Sequence, residues 1–146
     1  MVAEAVEPEF DSYTTRRLGI RQGHNVVLFN APAGLREALE AVLPRRARIL
    51  HTHDLGADER ANVVLIWPQT IGLFEQSMRE LQGKLVADVA IWVVLDTEGL
   101  GLRERHVTRE QIVAKAIELG YQDVGLKRFL DGLHALKLVP ARAPRP

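Results

Sequence analysis

The chain has 146 residues, of which 47% are hydrophobic and 26% are charged, a composition typical of one folded domain. It contains no cysteine, which excludes a disulfide scaffold, a thiolate metal site and a cysteine nucleophile. Nineteen basic residues balance nineteen acidic ones, so the chain lacks the positive charge expected of a dedicated nucleic-acid-binding protein.

The two ends of the chain differ in composition from its middle. Residues 1–11 hold four acidic and no basic side chains, and residues 141–146 contain only Ala, Arg and Pro. No linker rich in Gly, Ser or Pro interrupts the sequence between them. We therefore predict a flexible acidic tail over residues 1–12, one domain over residues 13–140 and a flexible tail over residues 141–146.

The first predicted strand is residues 25–29, where four consecutive apolar residues indicate burial on both faces, as in a parallel sheet. Apolar residues at helical spacing follow over residues 35–43, and Pro44 ends that helix. Residues 47–51 form a weaker second strand. This order is a strand, a helix and a second strand.

A second unit of the same kind follows. Residues 63–67 are a strong strand, and one apolar stripe predicts a helix from residue 70 to residue 85. Residues 89–95 form the strongest strand pattern in the chain. The unit therefore repeats the alternation of strand and helix.

A last helix and a hairpin complete the domain. Thr108 and Gln111 have the spacing of a capping box, and Gly120 can supply the left-handed end of that helix. Residues 122–130 and 133–139 then read as strands joined by Asp-Gly, a strong hairpin signal.

Alternating buried strands and amphipathic helices predict an α/β fold with helices on both faces of a mostly parallel sheet. We expect a three-layer Rossmann-like domain with strand order 2-1-3-4-6-5 and a C-terminal antiparallel hairpin. This is the plan of class I methyltransferase folds.

Several short segments are informative in their order and spacing: Leu18-Gly19-Ile20 with Gly23, Asn30-Ala31-Pro32, Ile91-Trp92-Val93-Val94, the helix ending at Gly120, and residues 135–140. Together they resemble a family of small bacterial proteins known as domain of unknown function 3052. The resemblance covers roughly residues 18–140 and implies a small methyltransferase-like fold, but the family carries no agreed activity. The chain departs from the family pattern at Leu95-Asp96 and at Leu133-His134.

The loop after the first strand is the place to look for a nucleotide cofactor. Residues 30–34 contain one glycine, and Pro32 removes a backbone donor. The loop therefore matches neither an S-adenosylmethionine site nor the dinucleotide fingerprint. Asp54, 24 residues after Asn30, is placed where an acid binds ribose hydroxyls. We predict that the domain uses no cofactor, with retained binding of a nucleoside cofactor as the alternative.

Ligands of such sheets bind in the crevice at the carboxyl ends of the strands. The candidate residues there are Asn30, Gly34, Asp54, Gln69, Thr70 and Asp96. Asn, Asp and Thr also cap helices and form turns at such positions, and Thr70 in particular fits a helix N-cap. The sequence favours these structural roles.

Two histidines stand next to one of these candidates. If residues 51–53 are extended, His51 and His53 point to the same side and are weak candidates for a metal site with Asp54. No third ligand has a recognisable spacing, so we predict no metal. No nucleophile with a base is evident either, since Ser77 lies on an apolar helical stripe; we assign no catalytic residue.

We predict a non-enzymatic cytoplasmic domain with a degenerate cofactor loop that acts as an accessory or regulatory protein. We expect a protein partner, neither nucleic acid nor membrane, and we assign no oligomeric state. The alternative is an enzyme that binds a small ligand or nucleotide, with S-adenosylmethionine one candidate, in the strand-end crevice. An interaction protein should fill that space with Pro32 and its neighbours, whereas an enzyme needs it open.

Overall fold

The computed structural model describes residues 12–96, 107–130 and 133–141. The predicted tails, residues 1–12 and 141–146, lie outside these ranges except for residues 12 and 141. Within them the helices are α1 (Ser12–Leu18), α2 (Leu35–Glu40), α3 (Ile71–Glu80) and α4 (Arg109–Glu118), with a short 3₁₀ helix over Thr52–Asp54. The strands are β1 (Asn25–Phe29), β2 (Arg48–Leu50), β3 (Ala61–Ile66), β4 (Leu85–Asp96), β5 (Tyr121–Leu130) and β6 (Leu133–Pro140). Each of these helices is too short or too polar to cross a membrane.

The six strands form one sheet in the order β2-β1-β3-β4-β6-β5, as predicted. β1 pairs in parallel with β2 and β3, and β3 pairs in parallel with β4. β6 is antiparallel to both β4 and β5. Leu130 pairs with Leu133, so only two residues join β5 to β6; these two, the predicted Asp-Gly turn, lie outside the described residues.

Helices cover both faces of the sheet, which confirms the three-layer α/β architecture. Phe74 and Met78 of α3 and Ile112 of α4 pack on one face. Leu18 of α1 and Leu39 of α2 pack on the other face. The consecutive apolar residues of β1 and β3 alternate between these two clusters, which is why their strands carry unbroken apolar runs.

One buried hydrogen bond attaches α1 to the sheet. The indole Nε1 of Trp92, in the middle of β4, donates to the carbonyl oxygen of Leu18 at 3.0 Å, and both residues are buried. The sequence does not predict α1, because the residues before Leu18 are mostly polar and show no apolar stripe. The helix is therefore positioned by a tertiary contact rather than by an amphipathic pattern of its own.

The boundary between α3 and β4 corrects the prediction. The helix ends at Glu80 instead of residue 85, and the strand begins at Leu85 instead of residue 89. Gly83 adopts a left-handed conformation with φ 75°, which ends the helical turn and reverses the chain. Leu85 then pairs with Ala61 of β3. α2 is also shorter than predicted and ends at Glu40.

A group of charged side chains joins α3 to α4. Lys115 Nζ of α4 lies 3.4 Å from a carboxylate oxygen of Glu75 in α3 and 2.8 Å from one of Glu118. Arg79 also donates to Glu75. Hydrogen bonds from Arg79 and then from Lys115 lower the pKa of Glu75 below its ordinary value of 4.5. The hydrogen bond to Glu118 is the main reason that the pKa of Lys115 is raised.

Trp92→Phe keeps an aromatic ring in the core but removes the donor to Leu18. Leaving a buried acceptor without its partner costs about 1–3 kcal/mol. We expect the free energy of unfolding, measured in urea, to fall by that amount, and amide protection in α1 to fall more than in α4. Equal loss of protection in the two helices would contradict the attachment of α1 through Trp92.

The pKa of Glu75 predicts a dependence of stability on pH. Because the pKa of the folded carboxylate is lower than in the unfolded chain, its stabilisation is complete above about 4.5 and is lost as the pH falls through the folded value. Glu75→Gln should make the free energy of unfolding change less steeply with pH below 4.5. Urea titrations at several pH values measure this, and an unchanged slope would contradict it.

Candidate functional site

The strand order reverses at β1. β1 lies between β2 and β3; α2 packs on one face of the sheet and α3 on the other. The backbone N–H of Trp67 donates to the carbonyl of Phe29 at 3.0 Å, which continues the pairing of β1 with β3 one step past the strands. The segments that follow β1 and β3 then run toward opposite faces of the sheet. In open α/β sheets, ligands bind in the crevice between two segments that separate in this way.

The loop after β1 is exposed. Asn30 has φ 60°, a left-handed conformation that asparagine tolerates better than most residues. Pro32 and Ala33 are exposed, and the carbonyl of Pro32 accepts a hydrogen bond from the N–H of Leu35 at 3.1 Å. Gly34, with φ 85°, precedes α2, and a Cβ added there meets no atom within 4 Å. Pro32 therefore lies on the exposed side of the loop and does not pack into the core.

The loop after β2 is not extended, which was the condition for His51 and His53 to point to the same side as metal candidates. Thr52–Asp54 form a 3₁₀ turn, in which the N–H of Asp54 donates to the carbonyl of His51 at 3.0 Å. The buried hydroxyl of Thr52 donates to Glu80 Oε1 of α3 at 3.1 Å. The turn thus presents His51, His53 and Asp54 to solvent.

The two histidine rings are stacked on each other. Their centroids are 5.3 Å apart and their planes differ by 9°. Lone pairs of imidazole nitrogens lie in the ring planes, so two nearly parallel rings do not converge on one ion. Among the residues with described positions, no three His, Cys, Asp or Glu side chains form a group that could hold a metal.

The loop after β3 contributes Gln69 and Thr70, both exposed. Thr70 Oγ1 accepts a hydrogen bond from the N–H of Leu73 at 3.0 Å, which confirms its predicted role as the N-cap of α3. Because the hydroxyl acts as an acceptor in this bond, its own proton remains available for donation.

Asp96 is the last residue of β4 and is therefore at the same edge of the sheet; its side chain lies outside the described residues. The antiparallel pairing of β6 also brings His134 to this edge, opposite Leu95. His134 is partly buried. The pairing register of the predicted β5–β6 hairpin could have identified His134 as a residue at this edge.

The fold thus brings the candidate residues to one edge. Asn30, Gly34, Asp54, Gln69 and Thr70 follow the carboxyl ends of β1, β2 and β3 and all are exposed, whereas the strands beneath them are mainly buried. Carboxylate, amide and hydroxyl groups there can accept and donate hydrogen bonds to a polar ligand. None of their side chains packs in the core.

The chain matches no protein-family model, and no curated protein matches its sequence. Solved structures share its fold. An S-adenosylmethionine-dependent methyltransferase from Aquifex aeolicus has a TM-score of 0.59 and 9% identity over 88% of this chain and 89% of its own. A putative type 11 methyltransferase from Sulfolobus solfataricus has a TM-score of 0.58 and 10% identity over 92% and 93%.

A third similar structure is an O-methyltransferase of neocarzinostatin biosynthesis in complex with S-adenosylmethionine and a naphthoic acid. Its TM-score is 0.58, with 11% identity over 80% of this chain and 48% of its own. The chain thus spans about half the length of that protein. At these identities the likeness shows the fold: a Rossmann-like, methyltransferase-like domain.

These comparisons overturn the prediction of a non-enzymatic accessory domain. The three similar structures described above are those of methyltransferases, one of them putative and one in complex with S-adenosylmethionine. The prediction relied on a loop with a single glycine, in which Pro32 removes a backbone donor, and the structure shows that loop to be exposed. The alternative, an enzyme that uses the strand-end crevice, agrees better with both findings.

The left-handed conformation of Asn30 can be tested by substitution. Glycine adopts this conformation without strain, whereas a β-branched residue in it destabilises the folded state by about 1–2 kcal/mol. Asn30→Gly should leave the free energy of unfolding nearly unchanged, and Asn30→Val should lower it by about 1–2 kcal/mol in urea denaturation. Equal stability of the two variants would contradict the assigned turn.

Proposed function

We propose that the protein is an S-adenosylmethionine-dependent methyltransferase that binds its cofactor at the carboxyl ends of β1 and β2. The observation that carries the proposal is the exposure of Asn30, Gly34 and Asp54 at the point where the strand order reverses. Methyltransferases that share the fold support it.

The residues at this edge fit the nucleoside part of such a cofactor. Asp54 carries carboxylate oxygens that accept hydrogen bonds from two vicinal ribose hydroxyls, and its side chain is 50% exposed. Gly34 has open space around it, so a ligand can approach the backbone there. Because Pro32 has no N–H, any backbone hydrogen bond that this loop donates to the cofactor comes from its other residues.

The bound cofactor supplies a methyl group on a positively charged sulfonium. The residues of the next strands can orient the group that accepts it. Gln69 offers an amide donor and acceptor, and Thr70 offers a hydroxyl proton while its oxygen caps α3. Asp96 and His134 occupy the same edge on β4 and β6. We assign these residues to the acceptor side because their strands lie on the other side of β1 from β2.

The finer assignments follow from the sequence resemblance. We infer that the chain is a member of the domain of unknown function 3052 family, and that it is a bacterial, cytoplasmic protein. The methyltransferase-like fold supports the first inference.

S-adenosylhomocysteine, which has the nucleoside of the cofactor without the transferable methyl, is the probe for binding. A ligand at about a hundredfold its Kd stabilises the folded state by about 2.7 kcal/mol. For a domain of this size we expect the melting temperature to rise by about 5–10 °C. An unchanged melting temperature, with no heat of binding in calorimetry, would contradict the proposed function.

Asp54→Asn tests the ribose contact. It removes the charge but keeps the size of the side chain, and hydrogen bonds to a charged group contribute about 1.5–3 kcal/mol. We expect calorimetry to show about 10- to 100-fold weaker binding of S-adenosylhomocysteine. Asp58→Asn, in the exposed turn before β3, is the matched control and should bind as the wild type does. Equal weakening in both variants would contradict the assignment of Asp54.

A further inference from the structure

We propose that the acidic segment, residues 1–11, binds to a basic surface of its own chain at the amino edge of the sheet, where β1, β2 and β3 begin. This arginine surface consists of Arg21, Arg45 and Arg46. It lies at the edge opposite to the candidate cofactor site, so the inference goes beyond the proposed function and does not depend on it.

Two loops bring the three arginines together. The N–H of Gly23, in the loop before β1, donates to the carbonyl of Arg45, in the loop before β2, at 3.0 Å. The two loops are therefore in direct contact beside the first residues of β1 and β2. All three arginines are exposed, so their guanidinium groups are accessible to a binding partner.

The charges of the arginine surface are not neutralised by neighbouring acids. Within the described part of the chain, none of its three side chains makes an ion pair or a hydrogen bond, whereas Arg48 nearby is paired with Glu59. Burial first, and then the charge of Arg21, lower the pKa of His24 from its ordinary 6.5, and the opposing effect of Asp88 is smaller. A carboxylate that approaches this surface therefore meets an excess of positive charge.

Arg46 has a backbone conformation that arginine rarely adopts. The N–H of Ala47 donates to the carbonyl of Pro44 at 3.1 Å, which closes a four-residue turn. Arg46 is the third residue of this turn and has φ 65°, where glycine or asparagine is usual. A strained residue of this kind points to a role outside the turn itself, and binding of an anion through the guanidinium is such a role.

The acidic segment has the complementary charge. Four of the nineteen acidic side chains of the chain lie within residues 1–11, which contain no basic side chain. The rest of the chain is left with fifteen acidic and nineteen basic side chains. A covalently attached segment is present at an effective concentration of roughly millimolar. This attachment favours the segment over a separate acidic protein as the partner.

The segment is also long enough to reach the arginine surface. It precedes α1 directly, and the other end of α1, Leu18, is three residues from Arg21. The seven residues of α1 span about 10 Å. An extended segment of eleven residues spans up to about 36 Å, so it can run back past the full length of this helix.

The absence of cysteine from the chain allows a direct test. Ala3→Cys provides a single attachment point for a nitroxide spin label in the acidic segment and changes no charge. The label broadens the amide resonances of nearby residues. At about 0.01 M salt, where the Debye length is about 30 Å, we expect broadening over residues 21–24 and 45–48. At about 1 M salt, where it is about 3 Å, we expect that broadening to be lost.

Charge variants of the labelled chain identify the two partners. Arg45→Gln/Arg46→Gly removes two charges, and glycine suits the left-handed position of the turn; the broadening should be lost at low salt as well. Conversion of the four acids of residues 1–11 to their amides should have the same effect. Arg109→Gln/Lys127→Gln is the matched control, since it removes two charges from exposed side chains of α4 and β5, and it should behave as the wild type does.

Each other outcome overturns the inference. Broadening that persists at high salt or in the Arg45→Gln/Arg46→Gly variant means that the arginine surface does not bind the segment. An equal loss in the control variant means that general charge attraction is at work rather than this surface. Broadening of an isotope-labelled chain by a separate spin-labelled chain means that the segment binds a second copy instead of its own chain.

Discussion

The pairing of β1 with β2 on one side and with β3 on the other determines where the loops that we propose to bind the ligand lie. β1 and β3 are mainly apolar and buried, and their two asparagines, Asn25 and Asn62, lie near the amino ends of the strands and share a hydrogen bond. At the carboxyl ends, exposed polar residues such as Asn30, Asp54 and Gln69 follow the strands. Because all these strands are parallel, their carboxyl ends meet at one edge, and the reversal of strand order at β1 separates the loops there.

Much of this arrangement could be predicted from the sequence. Runs such as Val63–Ile66 are apolar without alternation, which is characteristic of strands covered on both faces. The helical stripe of α3 and the capping box of Thr108 with Gln111, whose two hydrogen bonds are 2.9 and 3.1 Å, identified the helices. Right-handed crossovers then left few possible strand orders. The N-cap role of Thr70 followed from its position alone.

The features that the sequence missed depend on contacts between distant residues. α1 is held by the hydrogen bond of Trp92 to Leu18, which are 74 positions apart. His51 and His53 stack in a 3₁₀ turn that is held by the hydrogen bond from Thr52 to Glu80 of α3. No local sequence pattern predicts this turn. The prediction of an accessory domain rested on the single glycine of the loop after β1, and the methyltransferases that share the fold contradict it.

The central claim is that the carboxyl edge of β1 and β2 is the nucleoside-binding edge of the sheet. Amide chemical-shift mapping with S-adenosylhomocysteine tests it most directly, because each backbone N–H reports its own surroundings. The account predicts that shifts concentrate over residues 30–35 and 51–55, with smaller changes at Gln69 and Thr70. Shifts concentrated at the opposite edge, around His24, Gly83 and Gly120, would contradict it.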